Sequence, residues 1–245
     1  MPNPTRRRRA LAATVPTLLS VAVLGGCGGG GDNSSSADSN GATSLQSQFV
    51  RVVERVSPQV VQIQTDKGLG SGIVYDDRGD IVTNAHVTGN FRRFLVTLSD
   101  GDRRDGALVG SDPSNDIAVI HVSGDAPQPA TFADSSTLQS GDIVFAIGNP
   151  LGLQSSVTQG IVSSLNRQVS EGDGVTLANV IQTSAEINPG NSGGALVDLS
   201  GGVRGIPTLA ALDPELGDSA APGIGFAIGS DTVKRVADSL IAAEQ

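Results

Sequence analysis

The sequence predicts an all-β fold with one helix near each end, on three observations. The 245 residues include 32 glycines and no Trp, and aromatic residues make up only 3%. That composition suits many short strands joined by tight turns. From Val60 onward, β-branched and aliphatic residues come in short runs bounded by Gly or Asp, which is the pattern of strands. Helical spacing is confined to the segment before Val60 and the segment after Ser230.

The N-terminal part divides by composition. Arg6–Arg9 is a basic stretch, and Ala10–Gly26 is uncharged and mostly apolar but short for a spanning helix. Residues 1–26 therefore read as a signal peptide. Residues 27–44 read as Cys27 followed by a flexible tether, since Gly28–Thr43 is Gly, Ser, Asn and Asp with almost nothing apolar. A domain over 45–245 follows. Ser44 is placed as an N-cap, Leu45, Phe49, Val52, Val53 and Val56 recur at helical spacing, and Pro58 stops the helix.

Strands are expected at Val60–Gln64, Gly70–Tyr75, Asp80–Thr83, Phe94–Leu98, Arg104–Val109 and Ile117–Val122. The run Asp125–Pro129, with two prolines, reads as a linker, which puts the boundary between two halves at about 125–140. The second half is expected to form strands at Ile143–Gly148, Val157–Ser163, Val180–Ser184, Gly201–Pro207 and Gly223–Ile228. Ser170–Gly174 and Thr208–Pro222 read as loops. Ser230 and Asp231 are expected to cap a closing helix whose Val233, Val236, Leu240 and Ile241 share a face.

Charge and composition exclude several functions. The formal charge is −9; residues 1–26 hold four Arg and no acid, so the remainder carries 12 basic and 25 acidic residues, or −13. A surface of that sign lacks the basic footprint that nucleic acid requires. Two His and one Cys give no metal-ligand spacing, and the Gly25–Gly31 run lacks the Lys of a phosphate loop, so no metal or cofactor is expected. With Cys27 alone there is no intrachain disulfide.

The chemistry-bearing stretch is Ile187-Asn188-Pro189-Gly190-Asn191-Ser192-Gly193-Gly194-Ala195-Leu196. Upstream lie His86, in Thr83-Asn84-Ala85-His86-Val87, and Asp116, which opens the apolar run Ile117–Ile120. A serine hydroxyl becomes a nucleophile when a base takes its proton. His86 is the candidate base, and Asp116 the group that orients its ring. A turn through Gly190 and Asn191 can aim the backbone N–H groups of Gly190 and Ser192 at a developing oxyanion. Asp112 competes with Asp116, but it precedes Pro113 and reads as a turn residue. His121 competes with His86, but it lies mid-strand and reads as solvent-facing.

Three motifs together resemble the HtrA/Deg family of trypsin-like serine proteases: Thr83-Asn84-Ala85-His86-Val87, the run Gly148-Asn149-Pro150-Leu151-Gly152-Leu153 with Val157–Ser163, and the nucleophile loop Asn188–Gly194. The order His, Asp, Ser is also that of the double-barrel proteases. The resemblance covers about residues 45–243. It implies two six-stranded antiparallel β-barrels, a closing helix on the second barrel, and endopeptidase activity on unfolded or exposed protein segments. It places Glu186, Ile187 and Thr208 near the S1 pocket. Ile187 lining suits small aliphatic P1 residues, whereas Glu186 would suit a basic one. Leu24-Gly25-Gly26-Cys27 resembles a bacterial lipobox, which implies lipidation at Cys27, export, and anchoring at the cell membrane or envelope.

Departures from the family pattern are also expected to matter. The chain beyond Ser192 is long enough only to complete the barrel, so no PDZ domain is expected, and Phe49 stands alone where relatives carry an aromatic-rich trimerisation segment. Monomer and trimer both remain open. Ala195 replaces a common Pro. Alternative readings are a non-catalytic envelope lipoprotein that binds polypeptides, and a trypsin-fold enzyme of narrow specificity such as a glutamyl endopeptidase.

Overall fold

The computed structural model describes residues 36–66, 68–125, 127–149, 156–170, 176–188, 190–213 and 219–244. The expected signal peptide, Cys27 and the first part of the tether lie outside the described residues, as do most of the Ser170–Gly174 loop, residues 150–155 and Pro189. No helix among the described residues is long and apolar enough to cross a membrane.

The chain opens with helix α1 (Ser36–Val56) and a 3₁₀ turn over Ser57–Gln59. Six strands follow: β1 (Val60–Thr65), β2 (Gly68–Val74), β3 (Asp80–Thr83), β4 (Arg93–Thr97), β5 (Arg103–Asp112) and β6 (Ile117–Val122), with a one-turn helix α2 (Ala85–Thr88) after β3. The second six are β7 (Ile143–Gly148), β8 (Ser156–Ser170), β9 (Thr176–Thr183), β10 (Ala195–Asp198), β11 (Val203–Asp213) and β12 (Ser219–Gly229). Helix α3 (Ser230–Glu244) closes the chain. Each set of six closes into an antiparallel barrel, in the order β1-β2-β3-β6-β5-β4 and β7-β8-β9-β12-β11-β10.

Continuous apolar runs mark strands buried on both faces. Val61, Ile63, Val74, Ile81, Phe94, Val96 and Ile120 fill the first barrel. Val144, Ala146, Val162, Ile181, Leu196 and Ala227 fill the second. A third cluster lies outside both interiors and joins Val60, Ile73, Ile117 and Val119 of the first barrel to Phe145, Ile147 and Val197 of the second, together with Val52, Val56, Val233 and Val236 from the two long helices. Val60 and Val61 thus serve different cores, because successive strand side chains point to opposite faces.

Several details differ from the sequence reading. Helix α1 starts at Ser36, not after Ser44, so part of the expected tether is helical. Strand β10 had no counterpart in the expectation, since its four residues directly continue the nucleophile loop. The expected loop Thr208–Pro222 is mostly strand, the extended ends of β11 and β12, paired from Leu209↔Phe226 to Asp213↔Ser219. Ser230 and Asp231 lie in the first turn of α3, and their side chains tie the helix start to the segment before β7. The Ser230 hydroxyl donates to the Ala133 carbonyl (2.5 Å), and the Asp231 carboxylate accepts from the Ser135 hydroxyl (2.8 Å) and the Ser136 N–H (3.1 Å).

The two long helices also cross over. α3 follows the second barrel but packs chiefly on β5 and β6 of the first, as well as on β11. Tyr75 donates to the Asp238 carboxylate there at 2.5 Å. α1 precedes the first barrel but sets Phe49 edge-on against Phe145 of β7, with ring centroids 5.0 Å apart, and its Arg55 donates to the Ser200 carbonyl at 2.8 Å. Each helix straps the barrel that it does not adjoin in sequence.

Candidate active site

The ladder between β3 and β6 brings the first two candidate residues together. The strands are antiparallel with Thr83 opposite Ala118, so the end of β3 and the start of β6 share one rim. His86 leaves that rim on α2, and Asp116 is the residue just before β6. Asp116 has φ of 51°, a left-handed conformation that Asp tolerates better than most residues. The preceding turn is built as the sequence predicts: the Asp112 carboxylate accepts from the Ser114 N–H (3.0 Å) and the Asn115 side-chain amide (2.7 Å). Burial would raise the Asp112 pKa, but those hydrogen bonds outweigh it and hold the group below its ordinary value.

Asp116 is 2% exposed, whereas the His86 side chain is 42% exposed. His86 Nδ1 lies 3.0 Å from both Asp116 carboxylate oxygens, and the His86 backbone N–H donates to Oδ1 at 3.0 Å. A carboxylate in this role accepts, so Nδ1 carries the proton and Nε2 presents a lone pair. Asn84 Nδ2 donates to the Asp116 carbonyl at 3.0 Å, which ties the residue from behind.

The second barrel supplies the serine. Gly190 has φ of 108°, and the Asn191 N–H closes the turn on the Asn188 carbonyl at 3.1 Å. A four-residue turn with positive φ at its third residue favours Gly there. Asn191 is buried and zips the loop with its side chain, accepting from the Asn188 N–H (3.2 Å) and donating to the Glu186 carbonyl (3.1 Å). Gly193 leaves no room for a side chain: a Cβ there would lie 2.2 Å from the Ser71 carbonyl oxygen and 2.3 Å from Thr83 Oγ1. The nucleophile loop therefore rests directly on β2 and β3 of the first barrel.

Thr208 joins the halves. Its hydroxyl donates to Asp116 Oδ2 at 2.5 Å, and its carbonyl accepts from Ser192 Oγ at 3.0 Å. It can face both because the β11–β12 register shifts between Pro207 and Leu209, which leaves Thr208 as the extra residue of a bulge. Sequence reasoning placed Thr208 near a pocket wall and gave its hydroxyl no partner; that hydroxyl is buried on Asp116. A bulge leaves no mark in residue types, so that contact was not legible.

The other predicted residues fall as follows. Ile187 is 6% exposed and packs in the second barrel's core beside Gly225, where a Cβ would lie 2.3 Å from Ile187 Cγ1. Glu186 is exposed, and its backbone carbonyl accepts from Thr158 and Asn191. His121 is partly exposed mid-strand, as expected, and bonds to Asp80 rather than to the serine. Among the described residues no cluster of His, Cys, Asp or Glu could hold a metal ion.

A serine, an imidazole and a buried carboxylate gathered at the seam of two antiparallel barrels define the trypsin-like peptidase class. The chain belongs to it: the trypsin-like peptidase domain model matches residues 70–206, more than half of the chain. Within that class it is similar to HtrA-type proteases. It is 43% identical to serine protease PepD of Mycobacterium tuberculosis over 213 residues, covering 78% of this chain and 46% of PepD. It is 46% identical to the periplasmic serine endoprotease DegP of Escherichia coli K12 over 182 residues, covering 74% of this chain and 37% of DegP. The solved HtrA-type protease AlgW with a tripeptide superposes with a TM-score of 0.72 at 38% identity, covering 80% of this chain and 64% of AlgW. The chain thus spans less than half the length of these two curated relatives.

Proposed function

We propose that this chain is a serine endopeptidase of the HtrA type that cleaves unfolded or exposed protein segments. The observation that carries the reading is the continuous set of contacts from His86 through Asp116 and Thr208 to Ser192, which crosses both barrels. Ser192 Oγ attacks the scissile carbonyl after its proton turns from the Thr208 carbonyl to His86 Nε2. Asp116 holds the imidazole in the required tautomer and stabilises it once protonated. The N–H groups of Gly190 and Ser192 receive the oxyanion, each such donor contributing roughly 3–4 kcal/mol in the transition state. As the intermediate collapses, His86 gives that proton to the leaving amine and the C–N bond breaks; water then hydrolyses the acyl-enzyme, with His86, neutral again, as base.

For the S1 pocket, the buried Ile187 beside Gly225 supports small aliphatic P1 residues, and the exposed Glu186 does not support a basic one. Activation by an ion pair between a new α-amine and the residue before the nucleophile has no counterpart, since Asn191 is uncharged and its side chain is committed to the loop. The turn Asn188–Asn191 instead moves between formed and unformed states, and substrate biases it by binding the formed state better.

Casein hydrolysis by the purified chain, beside Ser192→Ala, tests the reading. Cleavage should vanish in the variant while its circular dichroism spectrum is unchanged; equal cleavage by both would refute it. We further place the protein outside the cytoplasm, held by lipid on Cys27. DegP and its Chlamydia trachomatis relative are named as periplasmic, which supports export. Fatty-acid labelling that is absent from the wild type, or that persists in Cys27→Ser, would remove the anchor.

A further inference from the structure

We infer that Ser71 is a positioning residue for the oxyanion turn, a pin from the first barrel that sets the height of Gly190 and Ser192. The inference rests on the proposed catalytic reading and extends it. Ser71 lies in β2 and is fully buried. Its N–H donates to the Ser192 carbonyl at 3.0 Å. Its hydroxyl donates to the Gly190 carbonyl at 2.5 Å. Its carbonyl accepts from Thr83 Oγ1 at 2.6 Å. One residue of the barrel that carries His86 and Asp116 thus holds both residues whose N–H groups face the developing charge.

The direction of the hydroxyl follows from chemistry alone. The Asn149 N–H lies 2.8 Å from Ser71 Oγ, and a backbone N–H can only donate. Ser71 Oγ therefore accepts from Asn149, and its own proton goes to the Gly190 carbonyl, which can only accept. The donor is committed, so it is not available to rearrange freely. Gly190 has the backbone freedom of glycine and sits at φ of 108°, so it is the point of the loop that most needs an external hold. Without the hydroxyl, the buried Gly190 carbonyl loses this partner, and a buried carbonyl in that state drives the surrounding backbone to move.

The glycines beside Ser71 answer to the first barrel's own packing. Ser71 is flanked by Gly70 and Gly72, and a Cβ at either would lie 2.6 Å from a first-barrel side chain, Val87 and Ile81 respectively. Glycines inside a strand mark close approach of other groups.

Ser71→Ala should lower kcat on a peptide amide roughly ten- to a hundredfold, the range for losing one hydrogen bond on a buried group, and should change KM by less than about threefold. Labelling of Ser192 by a fluorophosphonate should slow in parallel. Ser71→Cys, slightly larger but a weak donor, should fall with Ala, and it keeps the test open if the Ala variant does not fold. Wild-type kcat and labelling in either folded variant would overturn the inference and leave the triad standing. A loss expressed only in KM or in melting temperature would also overturn it, since that is what a purely structural serine gives. Failure of the wild type itself to label at Ser192 would refute the catalytic reading and this inference together.

Discussion

The two barrels share one topology and divide the work unequally. Renumbered from its own first strand, the second barrel repeats the strand order of the first. The first barrel contributes from the rim where β3 meets β6, which delivers His86 and Asp116. The equivalent pair in the second barrel, β9 and β12, carries neither the serine nor Thr208. There the contribution comes from the loop before β10 and the bulge in β11. The ladders differ too. β5–β6 has one register shift, whereas β8–β9 has three and β11–β12 has two. A regular ladder fixes where a strand ends, which suits an anchored acid and base. An irregular one turns a carbonyl or hydroxyl out of the pleat, which suits a residue such as Thr208 that must face two partners.

The sharpest break of that comparison is on the first barrel's side. Asp116→Asn should lower kcat by up to about ten-thousandfold by favouring the wrong imidazole tautomer, with secondary structure retained. Near-normal turnover, measured on a peptide amide, would mean that the β3–β6 rim has no catalytic share.

The helix straps come next. Phe49→Ala should cost about 3 kcal/mol in denaturant unfolding, the lower end for a truncated Phe because Phe49 is only partly buried. If unfolding stays two-state with that loss, α1 is a joint between barrels; if stability is unchanged, the Phe49–Phe145 contact holds nothing.

Thr208→Val tests the bulge. It keeps shape and carbonyl but removes the hydroxyl on Asp116, for an expected ten- to hundredfold loss in kcat, as for one hydrogen bond to a charged group. Unaltered steady-state kinetics would show that only the carbonyl side of Thr208 matters.

The smallest effect concerns acid stability of the second barrel. Burial would raise the Asp198 pKa, but hydrogen bonds from Ser200 and Arg204 hold it below its ordinary 3.8. The folded value lies below the unfolded one, so the stabilisation is present above about pH 4 and is lost as pH falls through the folded value. Asp198→Asn should flatten that acid limb by about 1 kcal/mol or less, read from chemical denaturation between pH 3 and 6. An acid limb identical to wild type would assign the loss to other carboxylates, such as Asp76 and Asp112, which are also held low.

Much of the molecule was settled by local sequence. Alternation and Gly or Asp boundaries placed most strands; β3, β6 and β7 fall where expected to the residue. Asp116 was preferred to Asp112 because an acid opening an apolar strand is buried while one before Pro makes a turn, and both are found so. These features depend on neighbours in the chain. What only the tertiary structure decided depends on residues far apart. The crossing of α3 onto β5 and β6, the contact of Thr208 with Asp116 and the hold of Ser71 on Gly190 all join segments from opposite barrels. Residue types near each position admit several partners of similar strength. Barrel closure and the few ångströms between packed backbones select one.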